Sequence, residues 1–251
     1  MKKILRSFLS GLCFTIFGLG GIVTGSLIVP ILLIFCSKSQ QRKTLSMTVH
    51  FLWKAFVGLM CALKLIDIKC IAHDKLKQMR GKIIIANHPS LIDVVILVAK
   101  IPNSICVVKE SLFHNIFIRA IIRRVYVSNY MGPDKFIKQA SEILDAGYNI
   151  VIFPEGTRTI TGKPIHLHRG FAYLHIKSKH DIQPIHIENS PHILGKKQPW
   201  YDVGDKTSVY TLTLRPIIKF TDNEGCTERQ KAIIVTNRAE KALFEHKNLT
   251  I

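Results

Sequence analysis

A histidine and an aspartate five positions apart are the residues whose types and spacing most directly suggest chemistry. His88 and Asp93 lie in the segment 81–98, GKIIIANHPSLIDVVILV, which is typical of an apolar strand, a turn and an apolar helix. On one straight helix their side chains would point about 140° apart, because each residue turns the chain by ~100°. They meet only if Pro89 bends the chain, leaving His88 in the loop and Asp93 in the first helical turn.

A turn of this kind places an imidazole at the carboxyl end of a strand, where open α/β sheets bind ligands. We expect Asp93 to stay ionised near the positive end of the helix and to hold the His88 ring. A carboxylate and an imidazole that face a cleft can act as a general base. One alternative is an Asp that caps the helix beside an unrelated His; another is that Ser90 reacts, although its position also suits a helix cap.

Positive charge dominates the composition. The chain carries 35 Lys and Arg against 17 Asp and Glu, which gives a formal net charge of +18. This balance favours an anionic partner: a lipid surface, a nucleic acid or an acidic carrier protein. We expect no nucleic acid, because the sequence has no zinc-ligand spacing, RNA-recognition signature or basic zipper. The 6 Cys form no CxxC pair, so we expect neither a disulfide framework nor a metal site.

The N-terminal region is apolar enough to enter a membrane. Residues 7–37 form a run of 31 without charge, about 46 Å long as a helix against a ~30 Å hydrocarbon core. Basic residues flank both ends, and positive charge marks the cytoplasmic side. We therefore expect a re-entrant helical hairpin broken near Gly20 and Gly21, with a single tilted span as the alternative. Residues 47–68 are expected to form an interfacial helix, or otherwise a buried core helix.

Further along the chain, short apolar runs alternate with helical patterns, which predicts an α/β fold. We divide the chain into N-terminal membrane-embedded or interfacial helices over 1–70 and an α/β domain over 71–251. The predicted strands cover 82–86, 104–108, 149–153, 182–187 and 207–220, and amphipathic helices are predicted around 136–147 and over 232–246.

A second motif, FPEGTR over 153–158, follows another predicted strand. Pro and Gly fix a tight loop, and Glu155 and Arg158 bring opposite charges to the sheet edge that should also carry His88. For an isolated Glu-Gly-Thr-Arg sequence, a salt-bridged surface turn would be the alternative. Here the motif stands about 60 residues after the Asn-His-x4-Asp motif, at the expected strand end.

Together the two motifs resemble those of the glycerolipid acyltransferase family, whose best-known members are lysophosphatidic acid acyltransferases. The resemblance covers about 82–220 and implies a mostly parallel mixed sheet flanked by helices, with an N-terminal membrane-associated helical segment. It implies that His88 and Asp93, within the block 87–93, are catalytic. Segments 109–113, 169–170 and 183–185 resemble further family blocks. The implied substrate-binding residues are Asn87, Lys109, Glu155, Gly156, Thr157, Arg158 and Arg169.

One position departs from the family pattern. The second family block usually ends in a pair such as Asp-Arg, whose Arg is associated with the acceptor phosphate. Here Val127 leads into Ser128 and Asn129, and the nearest replacements are Arg123 and Arg124, just upstream. Because the Arg fork suits phosphate, this departure keeps an acceptor without phosphate open.

The expected reaction transfers a fatty acyl group from an acyl thioester of acyl carrier protein or coenzyme A to a lipid hydroxyl. The resemblance implies 1-acyl-sn-glycerol-3-phosphate as acceptor, with His88 as general base, no acyl-enzyme, no bound cofactor and no metal. The alternatives are a non-phosphate lipid or polyene-like hydroxyl acceptor, or a non-catalytic basic membrane-binding module. We expect the protein at the inner (cytoplasmic) membrane, with its catalytic domain on the cytoplasmic face.

Overall fold

The computed structural model describes residues 2–71, 73–108, 121, 126–128, 132–160, 162, 164–222 and 225–245. In this part of the chain the strands form one sheet in the order β1-β7-β6-β2-β5-β3-β4. Neighbouring strands are parallel except β6 and β7, which are antiparallel. The strands are β1 Ile66–Cys70, β2 Ile83–Ala86, β3 Ser104–Val108, β4 Val127–Ser128, β5 Asn149–Ile152, β6 Ile182–Ser190 and β7 Ser208–Leu214.

The central strands are apolar runs buried on both faces, as parallel strands covered by helices should be. Every residue of β2 and of β5 is buried. These two strands are parallel neighbours, with Ile85 opposite Ile152. Their carboxyl ends therefore deliver the loop with His88 and the loop with Glu155 to the same edge of the sheet.

The predicted α/β fold with a mostly parallel mixed sheet is confirmed. The strand predicted over 207–220 is shorter, because Pro216 lacks the N–H that would continue the ladder. Strand β1 was not predicted, since its half-exposed residues follow an apolar helix without a break. It pairs with β7, so the sheet begins before residue 71, on the N-terminal side of the predicted division.

The helices that cover the sheet follow the apolar periodicity of the sequence. In the helix Pro133–Asp145, Phe136, Ala140, Ile143 and Leu144 are buried as predicted, and Gly147 follows with a φ of 82°. The final helix begins at a capping box between Thr227 and Gln230. Beyond the N-terminal region, the described residues form the helices α4 His73–Gln78, α5 Asp93–Lys100, α6 Pro133–Asp145, α7 Gly170–Ser178 and α8 Glu228–Phe244.

The N-terminal helix is continuous where a break was expected. Helix α1, Lys2–Val23, passes through a π-helical turn, Thr24–Ile28, into α2, Val29–Phe35. The prediction of a break near Gly20 and Gly21 is wrong, because glycine weakens a helix by only about 1 kcal/mol and packing can compensate. A Cβ on Gly20 would lie 3.9 Å from Leu52, so the helix that carries Leu52 is close there.

A helical hairpin does form, but its turn lies further along the chain. Ser37 caps α3, Lys38–Ala62, through a capping box with Gln40. Helix α3 then runs back along α1, with the Phe14 and Phe56 rings 5.4 Å apart. Its other side packs on α5, where His50 Nδ1 lies 2.7 Å from the Val98 carbonyl oxygen. Helix α3 therefore lies between α1 and the α/β domain.

Both N-terminal helical segments are long and apolar enough to cross a membrane. They are Lys3–Phe35, with a mean hydropathy of 2.2, and Ser39–Ala62, with 1.4. The first segment exposes many large apolar side chains, which we call the N-terminal apolar stripe. Its members include Ile4, Leu5, Phe8, Leu12, Ile16, Leu19, Val23, Leu27, Ile31, Ile34 and Phe35.

Candidate active site

The turn after β2 brings the predicted histidine and aspartate together. Strand β2 ends at Ala86, and α5 begins at Asp93. Between them the chain turns back, so that His88 Nδ1 lies 2.9 Å from Asp93 Oδ2. The spacing that cannot pair on one helix therefore pairs across a strand–helix junction.

The Asp93 carboxylate is fully buried and collects hydrogen-bond donors. Its Oδ2 accepts from the Ser90 backbone N–H at 2.6 Å, and its Oδ1 accepts from Ser90 Oγ at 2.7 Å. An ionised carboxylate only accepts hydrogen bonds, so His88 must donate through Nδ1. The lone pair of the imidazole is then on Nε2, the arrangement that a general base needs.

The hydrogen bonds continue behind Asp93 into the core. Tyr210, on β7, donates from its hydroxyl to Ser90 Oγ at 3.0 Å. Asn189, at the end of β6, donates from Nδ2 to the Tyr210 hydroxyl at 3.4 Å. Burial, and then the charge of Asp93, raise the pKa of Tyr210, so its hydroxyl remains a donor. The chain Tyr210–Ser90–Asp93–His88 thus links β7 to the candidate base.

The His88 ring is held on its face as well as its edge. It stacks on Phe153 with ring centroids 4.3 Å apart and an interplanar angle of 27°. The side chain keeps 19% of its surface exposed. A fixed but reachable imidazole can meet a substrate hydroxyl.

The Glu-Gly-Thr-Arg turn contacts the His88 loop directly, which confirms the expected proximity of the two motifs. Glu155 Oε1 accepts from the His88 backbone N–H at 3.1 Å and from Thr159 Oγ1 at 2.6 Å. The Thr159 N–H donates to the His88 carbonyl oxygen at 2.7 Å. Burial raises the pKa of Glu155, while the hydrogen bonds from Thr159 and His88 act in the opposite direction.

Arg158 braces a loop of its own chain. Its Nη1 donates to the carbonyl oxygens of Leu194 at 3.1 Å and Gly195 at 2.8 Å. The Leu91 N–H donates to the same Leu194 oxygen at 2.9 Å. These hydrogen bonds stabilise the loop that contains Leu194 and Gly195. The predicted contact between Arg158 and substrate stays a prediction.

The other predicted site residues differ in their surroundings. Asn87 is buried, and both ends of its amide bond the backbone of Ile187 on β6, so it fastens the sheet. Gly156 has a φ of 64°, and a Cβ there would lie 3.0 Å from His168, so a side chain is excluded on both counts. Thr157 is half-buried, and Arg169 is exposed at the start of α7.

Some predicted positions fall outside the described residues. Lys109, Arg123, Arg124 and Asn129 are among them. Ser128, which stands near the end of the divergent family block, belongs to β4. Among the residues that the structure describes, no group of three or more His, Cys, Asp or Glu side chains is arranged to hold a metal ion.

A large apolar cavity, which the sequence did not predict, lies between the N-terminal hairpin and α5. Its volume is about 600 Å³. One wall contains Gly18, Gly20 and Gly21 of α1, and the opposite end reaches Leu91 and Ile92, just beyond the His88 turn. The glycines among large apolar residues were the available signal. Because glycines have no side chain, they leave space beside α1 for the cavity.

Comparison with known proteins points to one family. Residues 67–188 match the family model described as Acyltransferase. A 1-acyl-sn-glycerol-3-phosphate acyltransferase from Helicobacter pylori is 32% identical over 124 residues, which cover 47% of this chain and 52% of that relative. One of the same name from Cocos nucifera is 28% identical over 122 residues, covering 46% and 39%. The chain thus matches about half or less of the length of these relatives.

The fold is that of a solved acyltransferase. The crystal structure of the 1-acyl-sn-glycerophosphate (LPA) acyltransferase PlsC from Thermotoga maritima superposes with a TM-score of 0.72 and 18% identity, over 99% of this chain and 100% of that one. The match over 67–188 covers just under half of the chain and supports the same family as the two motifs. The family resemblance inferred from the two motifs is therefore confirmed.

Proposed function

We propose that this protein is an O-acyltransferase that moves a fatty acyl group from a thioester to the hydroxyl of a lipid acceptor. The observation that carries the proposal is the pairing of His88 with Asp93 at the end of β2, a few residues from the apolar cavity at Leu91. The names of the matched relatives favour 1-acyl-sn-glycerol-3-phosphate as acceptor, which would give phosphatidic acid.

In the proposed mechanism His88 acts as the general base. Its Nε2 takes the proton of the acceptor hydroxyl as that oxygen attacks the thioester carbonyl. The new C–O bond forms, the C–S bond breaks, and the proton passes from the imidazolium to the departing thiolate. Asp93 stabilises the imidazolium between these steps. A base placed in this way typically contributes about 10²–10⁴ in rate.

Direct transfer agrees with the state of Ser90, the nearest hydroxyl. Ser90 is fully buried, and its Oγ donates to Asp93 while accepting from Tyr210. A hydroxyl occupied in this way is poorly placed to attack a thioester, so we propose no acyl-enzyme. The substrate oxygen itself is the nucleophile.

The cavity supplies a place for an acyl chain. Its lining is almost wholly apolar, with aromatic rings from Phe14, Phe17, Trp53 and Phe56. Each methylene buried there gains about 0.8 kcal/mol relative to water. The end at Leu91 would bring the head of such a chain toward His88.

The N-terminal apolar stripe and the net charge support work at a membrane. Exposed apolar surface of this extent marks a membrane or protein contact, and a net charge of +18 attracts anionic headgroups. We place the protein on the cytoplasmic face of the inner membrane. The donor is then a thioester of acyl carrier protein or coenzyme A, both of which are anionic.

One observation favours a second acceptor class. The sequence Val127-Ser128-Asn129 stands where the family resemblance leads one to expect an Arg for the acceptor phosphate. A lipid or polyene-like hydroxyl without phosphate would not need that Arg. Acceptor profiling separates the two: purified full-length protein with radiolabelled acyl thioesters should acylate lysophosphatidic acid faster than lipids that lack the phosphate. The opposite order would select the second class.

Substitution of the base tests the proposal itself. His88→Ala should lower turnover by at least about 100-fold, with vesicle binding unchanged and the protein still folded. His180→Ala is the matched control, because His180 also pairs with an aspartate, through Nε2 at 3.0 Å from Asp145 Oδ1. Near-normal turnover of His88→Ala would remove His88 from the mechanism. Failure of the unaltered protein to acylate any acceptor would favour a non-catalytic membrane-binding module.

A further inference from the structure

An exposed loop between β6 and β7 carries two lysines and two aromatic residues. Lys196, Lys197, Trp200 and Tyr201 are all exposed, the two aromatics by 47% and 48%. We call this segment, 195–202, the aromatic–lysine loop. Adjacent aromatic side chains that are half exposed indicate a surface for contact with a membrane or a protein.

The aromatic–lysine loop is fixed against α1. Ser10 Oγ donates to the Trp200 carbonyl oxygen at 3.2 Å, and the Trp200 ring lies 5.7 Å from the Phe14 ring. A Cβ on Gly11 would lie 3.8 Å from the same indole. Because Phe8 and Leu12 of the N-terminal apolar stripe are exposed on the adjacent side of α1, the loop lies beside the stripe.

Arg6 holds this arrangement in place. Its guanidinium donates to the carbonyl oxygens of Lys64, Leu65, Gly204 and Lys206, at distances of 2.9, 3.3, 3.1 and 2.8 Å. These acceptors come from the end of α3 and from the chain that follows the loop. The start of α1 is therefore bonded to the chain on the far side of the aromatic–lysine loop, so the two form one surface.

We propose that the aromatic–lysine loop is a second membrane contact, which binds anionic phospholipid headgroups beside the N-terminal apolar stripe. Tryptophan and tyrosine prefer the level of the headgroups, and lysines near an anionic surface each strengthen binding about fivefold. An acidic carrier protein could also meet the lysines. The continuity of Trp200 with the apolar stripe favours the lipid surface, because a bilayer covers both at once.

The loop also connects the membrane surface to the candidate site. Gly195, at its start, and Leu194, just before it, accept the two hydrogen bonds from Arg158. Leu194 also accepts from the Leu91 N–H at the end of the cavity. Contact between the loop and headgroups would hold this end of the cavity near the bilayer. The inference rests on the proposed membrane association and not on the proposed acyl transfer, so the two can fail separately.

Tryptophan fluorescence tests the contact directly. The chain has 2 Trp, so Trp53→Phe leaves Trp200 as the single reporter. On vesicles that contain phosphatidylglycerol we expect a blue shift of its emission, and quenching by lipids brominated near the headgroup. Emission that stays unchanged while the protein sediments with the vesicles would overturn the proposal. So would a shift caused by acyl carrier protein and not by vesicles.

Lysine substitutions in the otherwise unaltered chain give a second measurement. Lys196→Gln with Lys197→Gln should weaken co-sedimentation with anionic vesicles about 25-fold, with little change on phosphatidylcholine alone. Lys135→Gln with Lys138→Gln is the matched control, because these exposed lysines lie on α6, which packs against β5 and α7. An equal loss in both double variants would show that only net charge matters, and would overturn the assignment to the loop.

Discussion

The sharpest perturbation of the site is Asp93→Asn, which keeps the shape of the side chain and removes its charge. Three donors meet the carboxylate: His88 Nδ1, the Ser90 N–H and Ser90 Oγ, at 2.9, 2.6 and 2.7 Å. An amide offers one accepting oxygen and one donating nitrogen. Two orientations are therefore possible, and each damages the base in a different way.

If the amide oxygen faces His88, the imidazole keeps its tautomer and loses only the negative charge. Opposite charges about 4 Å apart at an effective dielectric constant of ~20 interact by about 4 kcal/mol, which corresponds to about a thousandfold in rate. If the amide nitrogen faces His88, Nδ1 must accept, the proton moves to Nε2, and the base is lost. Both orientations predict a fall in kcat/KM of about 10²–10⁴.

The assay is the steady-state rate of acyl transfer, measured together with thermal unfolding. We expect Asp93→Asn to remain folded, because it replaces a buried charge with a neutral group of the same shape. Asp145→Asn is the matched control, since Asp145 also pairs with a histidine ring, His180, and is exposed. A folded Asp93→Asn protein with kcat/KM within tenfold of the unaltered enzyme would refute the reasoning.

Three further substitutions probe the surroundings of the site. Tyr210→Phe removes the hydrogen bond to Ser90 behind Asp93, whose net worth is about 0.5–1.5 kcal/mol, together with the longer one from Asn189. It should lower kcat about 2–10-fold with KM unchanged in steady-state kinetics. Because the pKa of Glu155 is raised, the native state binds the carboxyl proton more strongly than the unfolded chain does. The contribution of Glu155 to stability therefore falls as the pH rises above 4.5, the ordinary pKa of a glutamate. Glu155→Gln should remove that loss, seen as a smaller decline of Tm with pH. Gly20→Leu should fill part of the cavity and shift donor preference toward shorter acyl chains, measured by competition between thioesters. An unchanged preference would show that the cavity does not bind the acyl chain.

The sequence predicted the parts of the fold that local pattern determines. Short apolar runs such as 83–86 and 149–152 are typical of buried strands. In a parallel sheet the motifs at the carboxyl ends of two such strands lie at the same edge. The contact between His88 and Asp93 followed from the bend at Pro89. These inferences needed only the chain geometry within a few residues and the layout of a parallel sheet.

The parts that escaped prediction depend on contacts between distant segments. Tyr210 reaches Ser90 across 120 positions, and a tyrosine in an alternating strand gives no sign of its partner. The turn of the N-terminal hairpin lies after Phe35 and not near Gly20, where the sequence predicts it. Glycines alone indicate a helix break, but here α3 packs close to Gly20. Arg158 looked like a ligand for substrate, and only the folded chain shows that it binds Leu194 and Gly195.

The cavity is lined mainly by two separate parts of the polypeptide, with α1 and α3 on one side and the start of α5 on the other. Mutations in α1 can thus lengthen or shorten the chamber while the strand–helix junction that holds His88 stays as it is. Acyl-chain specificity could then diverge while the catalytic mechanism is preserved, because different stretches of the gene encode them. A swap of the first 35 codons between relatives would be the natural way to exchange one property without the other.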